Sequence, residues 1–412
     1  MLERDPVIPA NTPARRASPV LALFGPAFVT AVAYVDPGNL ATNVTAGARY
    51  GYRLLWVVVL ADLVAMLVQY LAAKLGIATG RNLPELCRDR YRTPVRIGLW
   101  LQAEAVIIMT DLAEVIGGAV GLQLLFGVPL PVGGVLTAAG MMLILAMQRR
   151  GRRVFEAVVI ALLGVVLLAF LYQLAQVRLD GGGLARGMVP TLGDGGAAVL
   201  ACGIVGATVM PHAIYLHGGL TQRLGGTTGH GRRFALRVTR WDVVIALALA
   251  GLVNVAILLG ATVLHGAEGD TLGTAHQAFA RHLGPAAGWT FGIALLASGL
   301  AGSAVGVSSG QIVMQGFLRR SIPMWLRRLV SIVPAVLVLA AGVDATQALV
   351  ASQVALSFGL PFALVPLLVV TRDRRVMGEL ANRRITTAVA GTAAALVIAL
   401  NVYLLVTATG AG

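Results

Sequence analysis

Residues 31–40 read Ala31-Val32-Ala33-Tyr34-Val35-Asp36-Pro37-Gly38-Asn39-Leu40, inside an apolar run spanning about 20–48. A carboxylate, a proline, a glycine and an amide in succession do not belong in an uninterrupted helix in lipid. Pro37 removes an amide donor and clashes with the preceding turn, and Gly38 adds backbone freedom. An aspartate near the bilayer centre is costly and points to function by default. A backbone broken at that depth is tolerated only where it faces protein or a wet cavity. A second interruption, Ala207-Thr208-Val209-Met210-Pro211-His212, falls in the run 196–222. Together the two predict a metal-ion site, with half contributed by each broken helix.

The chain of 412 residues is 57% hydrophobic and 12% charged, about half the charge of a typical soluble domain. Eleven apolar segments follow one another: 20–48, 53–77, 97–125, 129–147, 154–175, 196–222, 241–264, 286–315, 324–342, 346–370 and 384–407. Each can cross about 30 Å of hydrocarbon at 1.5 Å per residue. The fold class is therefore an all-α polytopic membrane protein. The net charge of +14 does not signal nucleic acid, because the arginines fall in short links (Lys74 is the only lysine). Arg15 and Arg16 precede the first segment. Alternate links carry Arg88 and Arg90, Arg149 and Arg150, Arg232 and Arg233, Arg319 and Arg320, and Arg374 and Arg375. That alternation places the N-terminus in the cytoplasm and the C-terminus outside. The first 18 residues lack the apolar core of a cleavable signal. Cys87 and Cys202 form no disulfide framework or thiolate motif. Gly181-Gly182-Gly183 reads as flexible linker.

The first and sixth segments are the two interrupted by proline among polar residues. Five is odd, so corresponding halves run in opposite directions, and paired interrupted helices of this kind mark a transporter binding site. The predicted organisation is a cytoplasmic tail at 1–19, a five-helix repeat at 20–175, an inverted five-helix repeat at 196–370, and an eleventh helix at 384–407.

Asp36 offers a hard anionic oxygen, Asn39 an amide oxygen, and the interruption frees carbonyls such as that of Ala33. Such ligands suit Mg, Ca or Mn. The plainer reading is that Asp36 caps the half-helix that begins at Pro37; both can hold at once. Met210 is ordinarily packing, but a thioether beside the second interruption favours transition metals, with the Ala207 carbonyl as its neighbour. His212 and His217 lie about 140° apart on a helix, and a proton role is expected for His212 and a structural one for His217. In the third segment, Glu104 and Asp111 lie within about 20° of one another and Glu114 about 80° further round. They read as a proton route or as partners of Arg327 and Arg328. Asp62, Asn254 and Asn401 read as interhelical hydrogen-bonding groups, whereas Gln353, next to Ser352, is a further site candidate. No GxSxG, HExxH or Walker loop is present, so no enzyme is expected.

Asp36-Pro37-Gly38-Asn39 and Met210-Pro211-His212, the latter extended by Tyr215-Leu216-His217, resemble the Nramp family of proton-coupled divalent metal transporters. The resemblance runs from about Phe24 to Leu405. It implies a LeuT-like fold, alternating access, and proton-coupled uptake of Mn²⁺ and Fe²⁺ across a bacterial plasma membrane. The ligands it implies are Asp36, Asn39, Met210 and the carbonyls of Ala33 and Ala207, joined by Gln353 in some states. The proton route it implies uses Asp36, His212, Glu104, Asp111, Glu114 and Arg327 or Arg328. No resident cofactor is expected. The partners are the metal ion, protons and the bilayer, and the protein is expected to be a monomer. Ala213 stands where the family commonly has Asn. A sodium-coupled amino-acid carrier of the same fold is disfavoured, because Asp36 would repel a substrate carboxylate.

Overall fold

The computed structural model describes residues 25–147, 151–225, 229–266 and 269–408. The expected tail at 1–19, the start of the first segment, and Arg149 and Arg150 lie outside them. All regular structure among the described residues is helical. Nine helices there are long and apolar enough to cross a membrane. The first apolar segment is absent from that set because it is split into α1 (Pro26–Ala31, continued by a 3-10 turn over Val32–Val35) and α2 (Pro37–Tyr50). The ninth, α14 (Met324–Ala340), has 17 residues and narrowly misses the length.

The remaining long elements are α3 (Leu55–Thr79), α5 (Thr93–Phe126), α6 (Leu130–Met147), α7 (Arg152–Gln176), α11 (Gly229–Ala261), α13 (Pro285–Leu318), α15 (Ala345–Arg372) and α17 (Arg384–Ala408). The sixth segment is divided into α9 (Gly195–Thr208) and α10 (Pro211–Thr221). Short helices fill the links. They are α4 (Leu83–Arg90), α8 (Gly181–Gly187), α12 (Leu272–His282) and α16 (Arg374–Met377). The glycine triplet is thus not a linker. Asp180 accepts hydrogen bonds from the amides of Gly182 and Gly183 at 3.0 and 2.8 Å, and this cap starts α8.

The core lies where the split helices meet the long ones. α5 packs along α13, α15 lies against α5 and α9, and α3 lies against α10 and α11. Lipid gives little hydrophobic drive between helices, so close contact rests on dispersion and small residues. Gly117 of α5 takes the Pro37 ring, since a Cβ there would lie 2.0 Å from Pro37 Cβ. Gly206 of α9 lies on the α15 backbone, where a Cβ would be 2.1 Å from the Gln353 carbonyl oxygen. These two contacts hold the first interruption against α5 and the second against α15.

Candidate metal centre

At the first interruption Asp36 is extended (φ −80°, ψ 165°) between the 3-10 turn and Pro37, the first residue of α2. Its Oδ1 accepts from the Asn39 amide at 2.7 Å, so the residue does cap α2. Its Oδ2 is buried and without a hydrogen-bond partner. One oxygen serves the helix and the other remains a hard anionic acceptor. An unpaired buried carboxylate oxygen is costly, and a bound cation removes the cost.

At the second interruption α9 ends at Thr208, Val209 leaves helical geometry (φ −104°, ψ 56°), and Met210 (φ −60°, ψ 124°) leads into Pro211. Met210 is fully buried. Pro211 explains why one carbonyl becomes available. In an α-helix a carbonyl accepts from the amide four residues on. Four residues beyond Ala207, in α9, is Pro211, which has no N–H; Ala33 lies in the 3-10 turn, where the partner is three residues on, so Pro37 does not free its carbonyl in the same way.

Asn39 joins the two interruptions. Its Nδ2 donates to the Tyr34 carbonyl at 2.7 Å and approaches the Ala207 carbonyl at 3.5 Å. Its Oδ1 accepts from Asn43 Nδ2 at 2.9 Å, which leaves one lone pair. Gln353 comes in from α15 against Gly38, where any Cβ would lie 1.7 Å from Gln353 Nε2. That amide nitrogen donates to Ser352 Oγ at 3.0 Å, while Oε1 is buried and unpartnered. The structure therefore brings Asp36, Asn39, Ala207 and Gln353 into one neighbourhood, with Met210 buried three residues beyond Ala207. No group of three His, Cys, Asp or Glu suited to a metal exists among the described residues. The donor set here is of another kind: one carboxylate, amides, carbonyls and a thioether.

Alongside lies a row of charge. Arg328 is 1% exposed and donates to Asp111 Oδ1 at 2.5 Å and to Glu114 Oε2 at 3.4 Å. Arg327 grips both oxygens of Glu104 at 3.2 and 2.6 Å, and Trp100 Nε1 adds a bond to Glu104 at 3.1 Å. The acids and arginines expected to pair do pair. Room for them comes from a feature the sequence reading missed, Gly302, Gly306 and Gly310 at four-residue spacing on α13. A Cβ would lie 2.6 Å from Glu114 Oε1 at the first, 2.5 Å from Asp111 Oδ1 at the second and 2.0 Å from the Arg327 guanidinium at the third. Glycines four apart share one helix face, so that periodicity was the available signal.

His212 connects this row to the second interruption. Its Nδ1 is 3.3 Å from Thr110 Oγ1, and Thr110 lies next to Asp111 on α5. The Thr110 hydroxyl donates to the Val106 carbonyl at 3.1 Å. With its proton directed at the Val106 carbonyl, the hydroxyl accepts from Nδ1 of His212 in the tautomer that this pair of contacts favours. Nε2 is then a bare, buried acceptor. His217 Nδ1 lies 2.9 Å from Gln69 Oε1, and its Nε2, like that of His212, is buried without a partner. Asn401 bonds Ser357 and Cys202, and Asn254 reaches Asp62 at 3.4 Å.

The family model for natural resistance-associated macrophage protein-like (Nramp) proteins matches residues 27–407. The chain is 47% identical over 392 residues to the divalent metal cation transporter MntH of Bacillus subtilis, covering 94% of this chain and 92% of the relative. It is 48% identical over 411 residues to the MntH of Yersinia pestis, covering 98% and 99%. A crystal structure of the Eremococcus coleocola manganese transporter, in complex with an aromatic bis-isothiourea substituted compound, superposes with a TM-score of 0.84 at 33% identity over 94% of this chain and 87% of that one. A nucleobase-cation-symport-1 family transporter shares the fold alone, with a TM-score of 0.59 at 16% identity over 92% of this chain and 91% of that one.

Proposed function

This chain belongs to the Nramp family, and on that premise we propose that it imports Mn²⁺ and Fe²⁺ into the cytoplasm as a proton-coupled secondary transporter working by alternating access. The observation that carries the reading is the meeting of the two proline interruptions, bridged by Asn39 and Ala207, beside the unpartnered acceptors Asp36 Oδ2 and Gln353 Oε1.

Asp36, Asn39, Met210 and the carbonyls of Ala33 and Ala207 hold the ion, with Gln353 joining as the site closes. Asp36 supplies the charge that offsets lost hydration. Met210 supplies a soft donor, which favours Mn²⁺ and Fe²⁺ over Ca²⁺. The metal's double charge drives a proton off Asp36. His212 Nε2, an acceptor in the tautomer that Thr110 favours, takes part in moving it toward α5. Glu114 is the natural receiver there, because its bond to Arg328 is the longer of the two. Asp111, Glu104, Arg328 and Arg327 continue the route.

The proposed topology has eleven crossings in the plasma membrane of a bacterium, in a 5+5 inverted repeat plus α17. The split α1–α2 and the 17-residue α14 complete the nine longer spans. The inverted repeat is supported by α5 and α13, both 34 residues long, five spans apart and packed on one another. Arginine placement supports a cytoplasmic N-terminus. The functional unit is a monomer. Proteoliposomes loaded with a Mn²⁺-sensitive dye test the whole reading. Saturable Mn²⁺ uptake stimulated by an inward proton gradient is expected, and non-saturating flux indifferent to that gradient would mean a channel.

A further inference from the structure

Two cavities apart from the metal centre meet on α17. The first, of about 660 Å³, is lined by Arg90, Arg372, Arg374 and Arg384 together with Asp373 and Asn382. The second, of about 530 Å³, is an apolar groove between α17, α3 and α9, lined by Leu60, Val64, Val209, Leu396 and Leu400 among others. Ala388 lines both, so they adjoin.

The basic cavity has a fixed frame. The Asn382 amide donates to the Thr371 carbonyl at 2.9 Å, and its side chain donates to Thr371 Oγ1 at 2.8 Å. The Lys74 ammonium donates to Asn382 Oδ1. Asp373 accepts from the Arg375 amide at 2.9 Å and pairs with Arg90 at 2.9 Å. Arg372, Arg374 and Arg384 have no ion pair among the described residues. Four guanidiniums thus face one carboxylate.

Arg372 ends α15 and Arg384 begins α17, both apolar spans, so the cavity lies at the edge of the hydrocarbon layer. From Ala388 to Leu400 the groove follows α17 for about 18 Å at 1.5 Å per residue. That is a little over half of a core about 30 Å thick, the reach of an acyl chain from one leaflet. Leu60, Val389 and Leu396 are exposed along it.

We infer that this paired cavity binds one anionic phospholipid, its phosphodiester among the arginines and an acyl chain along α17. Guanidinium groups match phosphate oxygens in two-point contacts. A zwitterionic headgroup brings its own cation, which three unpaired arginines repel. A free phosphate makes no use of the groove. Val209, at the second interruption, is on the groove wall, so the chain would touch the helix that the metal centre depends on.

The test uses the full chain in nanodiscs of phosphatidylcholine doped with phosphatidylglycerol, followed by native mass spectrometry of the lipids retained. Preferential retention of phosphatidylglycerol is expected. Arg372→Gln and Arg384→Gln should each weaken it roughly fivefold, the worth of one basic side chain at an anionic surface. Thr392→Trp, on the exposed groove wall, should weaken it with all arginines intact. Circular dichroism and unchanged phosphatidylcholine retention verify that the variants are folded. Equal retention of the two lipids, or indifference to the arginine substitutions, overturns the proposal. So does displacement by millimolar inorganic phosphate with no effect of Thr392→Trp, which would leave an anion pocket and no lipid site. Metal uptake is not the readout, so the outcome stands apart from the transport proposal.

Discussion

Replacing Arg328 by Met should destabilise the protein far more than the same change at its neighbour Arg327. Arg328 is 1% exposed and is the shared partner of Asp111 and Glu114, which are 2% and 1% exposed. Met matches the length of the arginine stem but removes the charge, leaving two buried carboxylates about a helical turn apart without a cation. Removing one partner of a buried ion pair costs about 3–5 kcal/mol, and two stranded acids place this case at the upper end. Arg327 and Glu104 have side chains 10% and 16% exposed, so water takes over part of the lost contact. A cost of roughly 1–2 kcal/mol is expected there, between the exposed and buried limits. The assay is reversible unfolding in mixed micelles at neutral pH, comparing both variants with the triple change Asp111→Asn/Glu114→Gln/Arg328→Met. The triple variant removes the stranded charges and should recover most of the loss, although it should not recover proton-stimulated uptake. If Arg328→Met and Arg327→Met cost the same, or if the triple variant is worse than Arg328→Met alone, the buried row is not arranged as described.

Other perturbations separate roles that coincide in one residue. Asp36→Asn keeps a capping side chain, so stability should change by only a few tenths of a kcal/mol, while Mn²⁺ uptake falls at least a hundredfold. Uptake within threefold of wild type would remove Asp36 from the ligand set. Met210→Ala should reduce discrimination against Ca²⁺ about tenfold or more while Mn²⁺ uptake falls less, read from competition in proteoliposomes; unaltered Ca²⁺ rejection would defeat the sulfur argument. Thr110→Val removes the group that biases the His212 tautomer, and should weaken proton stimulation of uptake more than it lowers Mn²⁺ affinity. At the N-terminus of α9, Asp194 accepts from the Ala197 amide at 2.8 Å and from the Tyr50 hydroxyl at 2.7 Å. These bonds, the Ala197 amide foremost, hold its carboxyl below the usual range. A depressed value means the cap is in place above the ordinary aspartate range near 3.9 and is lost as pH falls through the folded value. Hydrogen exchange in the first turn of α9 should therefore quicken only in acid, and Asp194→Asn should abolish that acid dependence.

Much of this architecture was readable because its physics is local. Pro37 and Pro211 interrupt their helices beside polar neighbours, Asp36 and Asn39 at one and Thr208 and His212 at the other, whereas Pro334, Pro361 and Pro366, set among apolar residues, are carried inside α14 and α15. Asp36 proved to be both cap and free acceptor because its two oxygens diverge. Local signals were also overlooked. Asn82 and Glu85 form a capping box that starts α4, and Thr271 caps α12. Asp180 turns three glycines into helix, against the ordinary reading of such a triplet. What no local rule supplies is the division of partners along the charged row. Glu104 and Asp111 share a face of α5, but seven residues separate them by about 10.5 Å along the axis. Adjacent Arg327 and Arg328 point about 100° apart on α14, so each finds a different acid. The contact of Asn39 with Ala207, and of Gln353 with Gly38, joins residues far apart in sequence and depends on the packing of α15 between the two breaks.

Anomalous diffraction from crystals soaked in Mn²⁺ would reveal whether Asp36 and Met210, on two separately interrupted helices, hold one divalent transition metal between them. A single peak is predicted within bonding distance of Asp36 Oδ2, Met210 Sδ and the Ala207 carbonyl oxygen, absent from crystals of Asp36→Asn. A peak elsewhere, or one at this position that survives that substitution, would mean that they do not.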